Sequence, residues 1–471
     1  MFSTPNKHDL WILIGIWCFF MFLFVFLTWR NKRPGVGLPL IYLLDLSLVH
    51  LPGALAYAMA YYEPTDQVLL DGQSSLKNTF TGFQISLLAL PGLITGWLLA
   101  SRFVKDKVRQ VVSVPTPLLS TGLARFLFTL SLLFFFFLLP FMVLIPSLGS
   151  LGSSGVSLSM VAVCITCWRA YQRRDYKKLL VWLIGSMICF PLVTVLIMGF
   201  INHGAAAAMV VVMFVFTFFR PRWVPAVSMA ILLYLGMTLY VNYMWSRNAI
   251  RSSVWGEQQF SYRIDKIRLM LVNFKMFDPW NHNHLETVDG RLNQNHLVGR
   301  CANYMQRSTL NFAHGGTIAV AATAWIPRFL WRNKPSTAGS GGLVSLYTGM
   351  EFAKGTSVGL GEVLEFYINW GGWFVFVGFV GLGFVQRWID LRAWRYLANN
   401  DYWSFARWFL PGLGLMMAET NTATMVAAAS AAWVFMTTLH HVFFASSYAK
   451  INSGQAAITP RTPYRIAGRR A

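Results

Sequence analysis

The sequence predicts an all-α, polytopic membrane protein, and three observations carry that prediction. Mean hydropathy is +0.49, only 12% of the 471 residues are charged, and the apolar residues gather in runs of membrane length. Soluble domains carry about 25% charged residues, and a run of about 20 apolar residues crosses a bilayer core as a helix. The formal net charge of +21 does not call for a nucleic-acid partner. Basic residues at cytoplasmic loop ends are the ordinary topogenic signal of such a chain. The first apolar run is long and lacks a small-residue cleavage site before its basic flank, so no cleavable signal peptide is expected.

Eleven runs read as spans. The first, Leu10 to Trp29, ends on Arg30, Lys32 and Arg33, and the second, Leu38 to Tyr62, opens into a loop with Glu63, Asp66 and Asp71. The third, Phe80 to Ala100, precedes Arg102, Lys105, Lys107 and Arg109. The fourth, Arg125 to Leu148, leads into a small-residue turn, Gly149 to Gly155, and then a short fifth, Val156 to Trp168, with five basic residues close behind it. The sixth, Leu179 to Phe200, and the seventh, Ala205 to Phe219, meet at a tight turn, and the eighth runs from Val224 to Trp245. After a long polar loop come the ninth, Tyr367 to Val385, the tenth, Trp403 to Ala418, and the eleventh, Thr422 to Phe444. Basic clusters follow the odd-numbered spans, which puts the N-terminus outside and the C-terminus inside. Pro115 to Leu123 and Gly315 to Ile326 are apolar enough to be re-entrant or interfacial.

Polar groups inside the runs are few: Asp45 and His50, just before Leu51-Pro-Gly-Ala54, and Glu419 beside Thr420 and Asn421. Such groups are costly in a bilayer and face a bundle interior or an aqueous cavity; either a buried hydrogen-bonded pair or a substrate contact fits. Of the five cysteines only Cys301 lies in the loop, so packing must hold the loop rather than an internal disulfide. Cys164 and Cys167 have metal-ligand spacing but sit mid-span without a second pair, which is packing chemistry.

The loop from 246 to 360 carries thirteen Lys/Arg against six acids, on a face where positive charge is not the default. From Gln258 to Phe277, apolar Phe260, Ile264, Ile267, Leu271 and Phe274 recur at helical spacing, with Arg263, Lys266 and Arg268 on the other face. That amphipathic helix suits either an anionic substrate or lipid phosphates. Asp278 to Arg307 reads as polar and irregular. Its His282-Asn-His284 lacks the further ligand a metal needs, so neither metal nor cofactor is expected. Its amides, with Trp280 and Tyr304, suit sugar hydroxyls. The most specific part follows: His314-Gly-Gly-Thr317, then Trp325-Ile-Pro-Arg-Phe-Leu-Trp-Arg-Asn-Lys-Pro335, then Glu365-Phe-Tyr-Ile-Asn369-Trp-Gly371.

The Ile-Pro-Arg…Lys-Pro element, the later Glu-x-Tyr-x-Asn-x-Gly and the many-span frame with one large outer loop resemble the bacterial O-antigen and exopolysaccharide polymerases (Wzy-like). The motifs cover Gly315 to Gly371, and the chain departs from the pattern at Arg332, where Trp-Pro-x-Lys is expected. The resemblance implies a GT-C-like frame of about 11 spans. In it, 1–245 is an N-terminal bundle of about eight spans with a periplasmic N-terminus, and 246–360 is a periplasmic loop containing short helices. Residues 361–445 hold the last spans and 446–471 a basic cytoplasmic tail. It implies joining of undecaprenyl-pyrophosphate-linked oligosaccharide units, donor and acceptor, at the outer face of the bacterial inner membrane. A flippase and a chain-length regulator would serve the same pathway.

That reaction needs cations on a pyrophosphate leaving group and a base for the acceptor hydroxyl. Arg328 and Lys334 are the expected pyrophosphate contacts, with Arg251, Arg263 and Arg300 behind them. Glu365 is the expected base ahead of His314, Tyr367 an expected substrate contact, and Asn369 is expected to orient a sugar or the Glu365 carboxylate. A ligase moving the same glycan to another acceptor shares this chemistry. A transporter or flippase of the lipid-linked unit predicts charge distributed through the spans instead.

Overall fold

The computed structural model describes residues 6–31, 35–65, 75–104, 117–145, 148–256, 258–327, 330–331, 333–334, 341–352 and 358–452, with backbone alone for 117–121 and 444–452. Among these, every regular element is helical. α1 (Lys7–Arg30) packs on α2 (Leu38–Ala58). The third run is broken into α3 (Leu76–Ser86) and α4 (Ala89–Phe103). α5 (Pro117–Leu133) continues through a π turn into α6 (Leu139–Met142). α7 (Leu148–Gln172), α8 (Tyr176–Met198), α9 (Asn202–Phe218) and α10 (Trp223–Trp255) follow. The loop contains α11 (Phe260–Val272), α12 (His282–Asp289), α13 (Gln294–Arg307), α14 (Gly316–Ala322) and α15 (Gly341–Thr348). α16 (Glu362–Trp370), α17 (Gly372–Ala398), α18 (Tyr402–Leu413) and α19 (Thr422–Asn452) close the chain.

Nine of the described helical stretches are long and apolar enough to cross a membrane, and α9, with 17 residues, is shorter. The all-α multi-pass class is therefore present. The tenth expected span is not one helix: α18 has 12 residues, about 18 Å at 1.5 Å per residue, against a hydrocarbon core of about 30 Å. It stops where Pro411, Gly412 and Gly414 interrupt it, and Gly414 lies against the α19 backbone, where a Cβ would stand 2.6 Å from Ala429 N. The expected turn at Gly149 to Gly155 is helical and belongs to α7. Gly152 and Gly155 press against Leu139 and Phe134 of the preceding crossing, so the small residues form a close-packed face. α10 runs ten residues past its expected end at Trp245. At 33 residues it is about 50 Å long, and its last turns stand beyond the apolar stretch.

The loop is built into the bundle. Residues 278–307, expected to be irregular, form two helices because Asn281 caps α12 and Leu285, Val288, Val298 and Cys301 turn inward. α13 crosses α3 at Gly82 and Gly299, where a Cβ on either would overlap the backbone carbonyl of Asn295 or Asn78. His50 of α2 donates to Asn295 Oδ1 (2.7 Å) and receives a bond from Asn295 Nδ2 on its carbonyl (2.6 Å). Pro52 frees the next amide from the helix ladder, and Gly53 N–H donates to Leu292 O instead (3.2 Å). Tyr62 reaches Asp289 (2.9 Å), and Asn293 bridges Asp289 (2.6 Å) to Thr79 (2.9 Å). Cys301 is a free, buried thiol, as are Cys164 and Cys167. α11 forms where the periodicity placed it, but of its apolar stripe only Ile267 is buried; Phe260, Ile264 and Leu271 are exposed.

At the opposite end of the bundle Asp390 of α17 sits over the start of α2. Its Oδ1 accepts the backbone N–H groups of Val36 (2.9 Å), Gly37 (2.9 Å) and Leu38 (3.1 Å), and its Oδ2 pairs with Arg387 (2.6 Å). Arg387 in turn donates to Ser101 (3.0 Å) and lies 4.8 Å over the Trp97 ring of α4. Both charged groups are 1% exposed. Asp390→Ala strands a buried cation and three donors, and is expected to cost about 3–5 kcal/mol, read as a lower thermal midpoint in detergent. Asp390→Asn, which keeps an acceptor, lowers the midpoint less.

His284 supplies a pH handle on the loop. Buried beside Trp245 and Phe277, it accepts the Asp278 N–H on Nδ1 (2.9 Å), which requires a neutral ring. Burial lowers its pKa, although the nearby Asp278 charge pulls the other way. A depressed native value means that its contribution is complete above the unfolded imidazole value and is lost as pH falls through the native one. Amide protection factors across 275–290 should therefore fall as pH drops below the ordinary imidazole value of about 6.5, and His284→Gln should flatten that dependence.

Candidate functional site

Two interruptions of helix meet inside the bundle. α16 is a half-helix that turns straight back into α17 at Gly371, whose φ of 81° and ψ of −167° are a conformation only glycine holds without strain. The pair is antiparallel: Phe366 packs on Phe374 and Phe379 of α17, and Trp370 on Phe374. The start of α16 thus lies alongside the interior of α17 and reaches Tyr42 of α2, whose hydroxyl donates to Glu362 (3.1 Å). The second interruption is the non-helical stretch between α18 and α19. Gly361 N–H, just before α16, donates to the Glu419 carbonyl (3.2 Å), which joins the two breaks.

Four carboxyl groups collect there. Asp45 accepts the Ala418 N–H (2.7 Å). Glu365 accepts both the backbone N–H (2.6 Å) and the hydroxyl (2.8 Å) of Thr422, capping α19 from a neighbouring element. Burial pushes the Glu365 carboxyl up while the Thr422 and Thr317 bonds pull it back. Glu362 is fully buried; Tyr42 donates to its Oε2, and its Oε1 finds no hydrogen-bond partner among the described residues. Burial raises its pKa well above the carboxylate range, and the Glu365 charge adds to the effect. Burial also raises Glu419, which lies within electrostatic reach of Asp45.

Basic groups stand nearer the loop face. Arg247 and Arg251 lie one turn apart on the projecting end of α10, and Arg291 follows α12. Arg251 and Arg291 are both within electrostatic reach of Arg247. Arg247, Arg291 and Glu419 each lie within electrostatic reach of the Tyr240 hydroxyl. Arg291 is exposed and Arg247 half-buried.

The residues expected from the sequence separate into groups. His314, Glu365 and Asn369 are brought together: Asn369 Oδ1 accepts from Gly315 N (2.9 Å), and its Nδ2 donates to Thr317 Oγ1 (2.8 Å) and Glu365 O (2.7 Å). Asn369 is fully buried with all these sites occupied, so it positions the 313–317 turn instead of facing a ligand. His314 is exposed at the turn, with φ 43°, and Tyr367 is half-buried against Phe312. Lys334 is 8% exposed and donates to the Ala324 (2.7 Å) and Ile326 (2.8 Å) carbonyls, closing the segment that follows α14. Arg251 lies 4.1 Å over Phe200 and donates to Gly199 O (3.3 Å). Arg300 holds the Thr348 carbonyl (3.1 Å) at the end of α15, and Arg263 the Gln258 carbonyl (3.0 Å). Arg328, Arg332 and the tail from 453 lie outside the described residues. His282 donates to Glu63 O (2.6 Å) while His284 turns to Asp278, so the two do not converge on one ligand.

Sequence reasoning passed over Glu362, Tyr42, Arg247 and Arg291. Glu362 was legible in part, as a carboxyl one helical turn from Glu365 and therefore on the same face. Nothing in the sequence joins Arg247 to Arg291; the contact of α10 with α12, through Trp245 Nε1 and Thr287 Oγ1 (3.0 Å), does that.

The sequence pattern of a family described as a domain of unknown function, DUF8712, matches residues 46–405. The match takes in Arg247, Arg291, Glu362 and Glu365 and stops short of Glu419. No curated protein and no solved structure matches the chain.

Asn369→Ala leaves the Gly315 amide without its partner, at a cost of about 1–3 kcal/mol. The expected readout is faster amide exchange confined to 313–322, with α17 unchanged.

Proposed function

We propose that this chain, which belongs to the DUF8712 family, is an integral-membrane glycosyltransferase that polymerises lipid-pyrophosphate-linked oligosaccharides. On this reading the frame is GT-C-like, the membrane is a bacterial inner membrane, and a flippase and a chain-length regulator act in the same pathway. What supports it most is the pair of cations, Arg247 on α10 and Arg291 after α12, within electrostatic reach of each other and of the Tyr240 hydroxyl, which the Glu419 carboxyl also reaches. Breaking a glycosyl–pyrophosphate bond sends an electron pair onto the pyrophosphate, and cations held where that charge grows stabilise the transition state. The attacking acceptor hydroxyl loses a proton, which a carboxylate in the same place accepts.

The surface of α10 agrees with a lipid carrier. Val227, Ile231 and Leu235 form an exposed apolar flank on the same helix that carries Arg247. A polyprenyl chain laid along that flank brings its pyrophosphate to the arginines. Arg251 then acts as a positioning residue, tying α10 to the α8–α9 turn through Gly199 and Phe200. Arg328 retains its expected part as a second phosphate contact, and Glu365 supports Thr422 from beneath.

One observation favours a second reading, transport of the lipid-linked unit. Half-helices and unwound backbone meeting within a bundle, as α16 and the stretch after α18 do, are how transporters build central sites.

The deciding experiment supplies purified protein in vesicles with a synthetic lipid-pyrophosphate repeat unit. A ladder of products is expected. A single transfer to another acceptor identifies a ligase, and movement of the intact unit across the vesicle identifies a transporter. Arg247→Ala and Arg291→Ala should each lower the transfer rate by about 10²–10³-fold while leaving the folded yield unchanged.

A further inference from the structure

We propose that Glu362 is a proton-binding site inside the bundle, connected to the loop face through Asp45 and Glu419. Glu362 has no exposed surface, its Oε2 is held by Tyr42 (3.1 Å), and its Oε1 has no hydrogen-bond partner among the described residues. The titratable groups that act on it are Tyr42 and Asp45 from α2 and Glu365 from its own helix. None is basic. A carboxylate in that place has only the Tyr42 hydroxyl and its own backbone amide to offset its charge and keeps an unsatisfied oxygen, which costs more than a neutral carboxyl. A bound proton removes the charge. A metal ion would need several oxygen ligands, and among the described residues no group of three His, Cys, Asp or Glu is arranged to hold one.

The site is not isolated. Asp45 is within electrostatic reach of both Glu362 and Glu419, and Glu419 acts on the Tyr240 hydroxyl, as exposed Arg291 does. Carboxyl groups therefore step from the bundle interior to the loop face. If the transferase reading holds, on which this last step rests, the path has a chemical use. The acceptor O–H bond breaks as its oxygen bonds the sugar carbon, the pyrophosphate leaves with the electron pair, and the freed proton moves onto Glu419. From there it passes along the path or out to solvent.

The test is infrared spectroscopy of the full chain in vesicles, which needs no substrate. A protonated-carboxyl C=O band is expected at neutral pH, absent in Glu362→Gln and moved to higher frequency in Tyr42→Phe, where the donor to Oε2 is gone. Should Glu362→Gln fail to fold, the Tyr42→Phe shift still decides. Asp45→Asn should slow the band's response to D₂O by about a hundredfold. A band unchanged in both Glu362→Gln and Tyr42→Phe, or one abolished by adding sodium ions, overturns the proposal. Absence of transfer by the unmodified protein with the band present would count against the transferase reading alone.

Discussion

Backbone that leaves a helix inside a bundle presents N–H groups where no water can satisfy them, and in this chain buried carboxylates meet that demand. Asp390 takes three amides at the start of α2, Asp45 takes Ala418 in the stretch after α18, and Glu365 takes Thr422 at the start of α19. In each case the acid comes from a different element than the break it serves. The same bond that satisfies an amide therefore fixes α17 against α2, α2 against the unwound stretch, or α16 against α19. Without these three side chains the interruptions would have to close into ordinary helix, and the ends of α16 and α19 would have no reason to meet.

That accounting sorts the buried acids. Asp390 is fully occupied by three amides and Arg387, and the accepting oxygen of Glu365 by Thr422; their burial is explained by structure. Two acids are not so explained. Glu362 keeps one oxygen without a partner among the described residues, and the Glu419 side chain is joined to the cluster by charge alone, its backbone making the structural bond to Gly361. A buried polar group left incomplete in an otherwise well-satisfied site is where function is most economically sought. Glu365, the first choice from sequence, has its accepting oxygen occupied, whereas Glu362, one turn away, keeps one open among the described residues.

The long spans and the amphipathic α11 were legible because they depend on local periodicity alone. The helix breaks were not. The run through Ala418 is apolar but for Ser404 and Arg407, and what ends α18 at Leu413 is Pro411 together with the approach of Gly414 to Ala429, a tertiary contact. The glycines of α7 misled in the opposite direction, since Gly152 and Gly155 serve a helix–helix contact that has the same composition as a turn. In the site, the pairing of His314–Thr317 with Glu365–Asn369 was foreshadowed by motif. The arginine neighbourhood was hidden, because thirteen basic residues in one loop rank equally until packing chooses among them.

The choice is made by the attachment of the loop. α13 cannot slide on α3, because Gly82 and Gly299 place backbone against backbone and any side chain there would collide. His50 with Asn295, and Tyr62 with Asp289, then hold α12 and α13 to the first spans at separate points. Arg291 lies between those two helices and inherits their fixed position. α10, by contrast, packs on α8, α11 and α12 and leaves an apolar flank uncovered. The cations thus come from two differently held supports: Arg291 from a loop locked to the core, Arg247 from a helix at the periphery. A displacement of α10 would open that neighbourhood while the carboxyl groups, pinned by the helix breaks, stayed in place. On the proposed reading, a site of that construction would take a bulky lipid-borne group from the side while the pinned carboxyl groups kept their places.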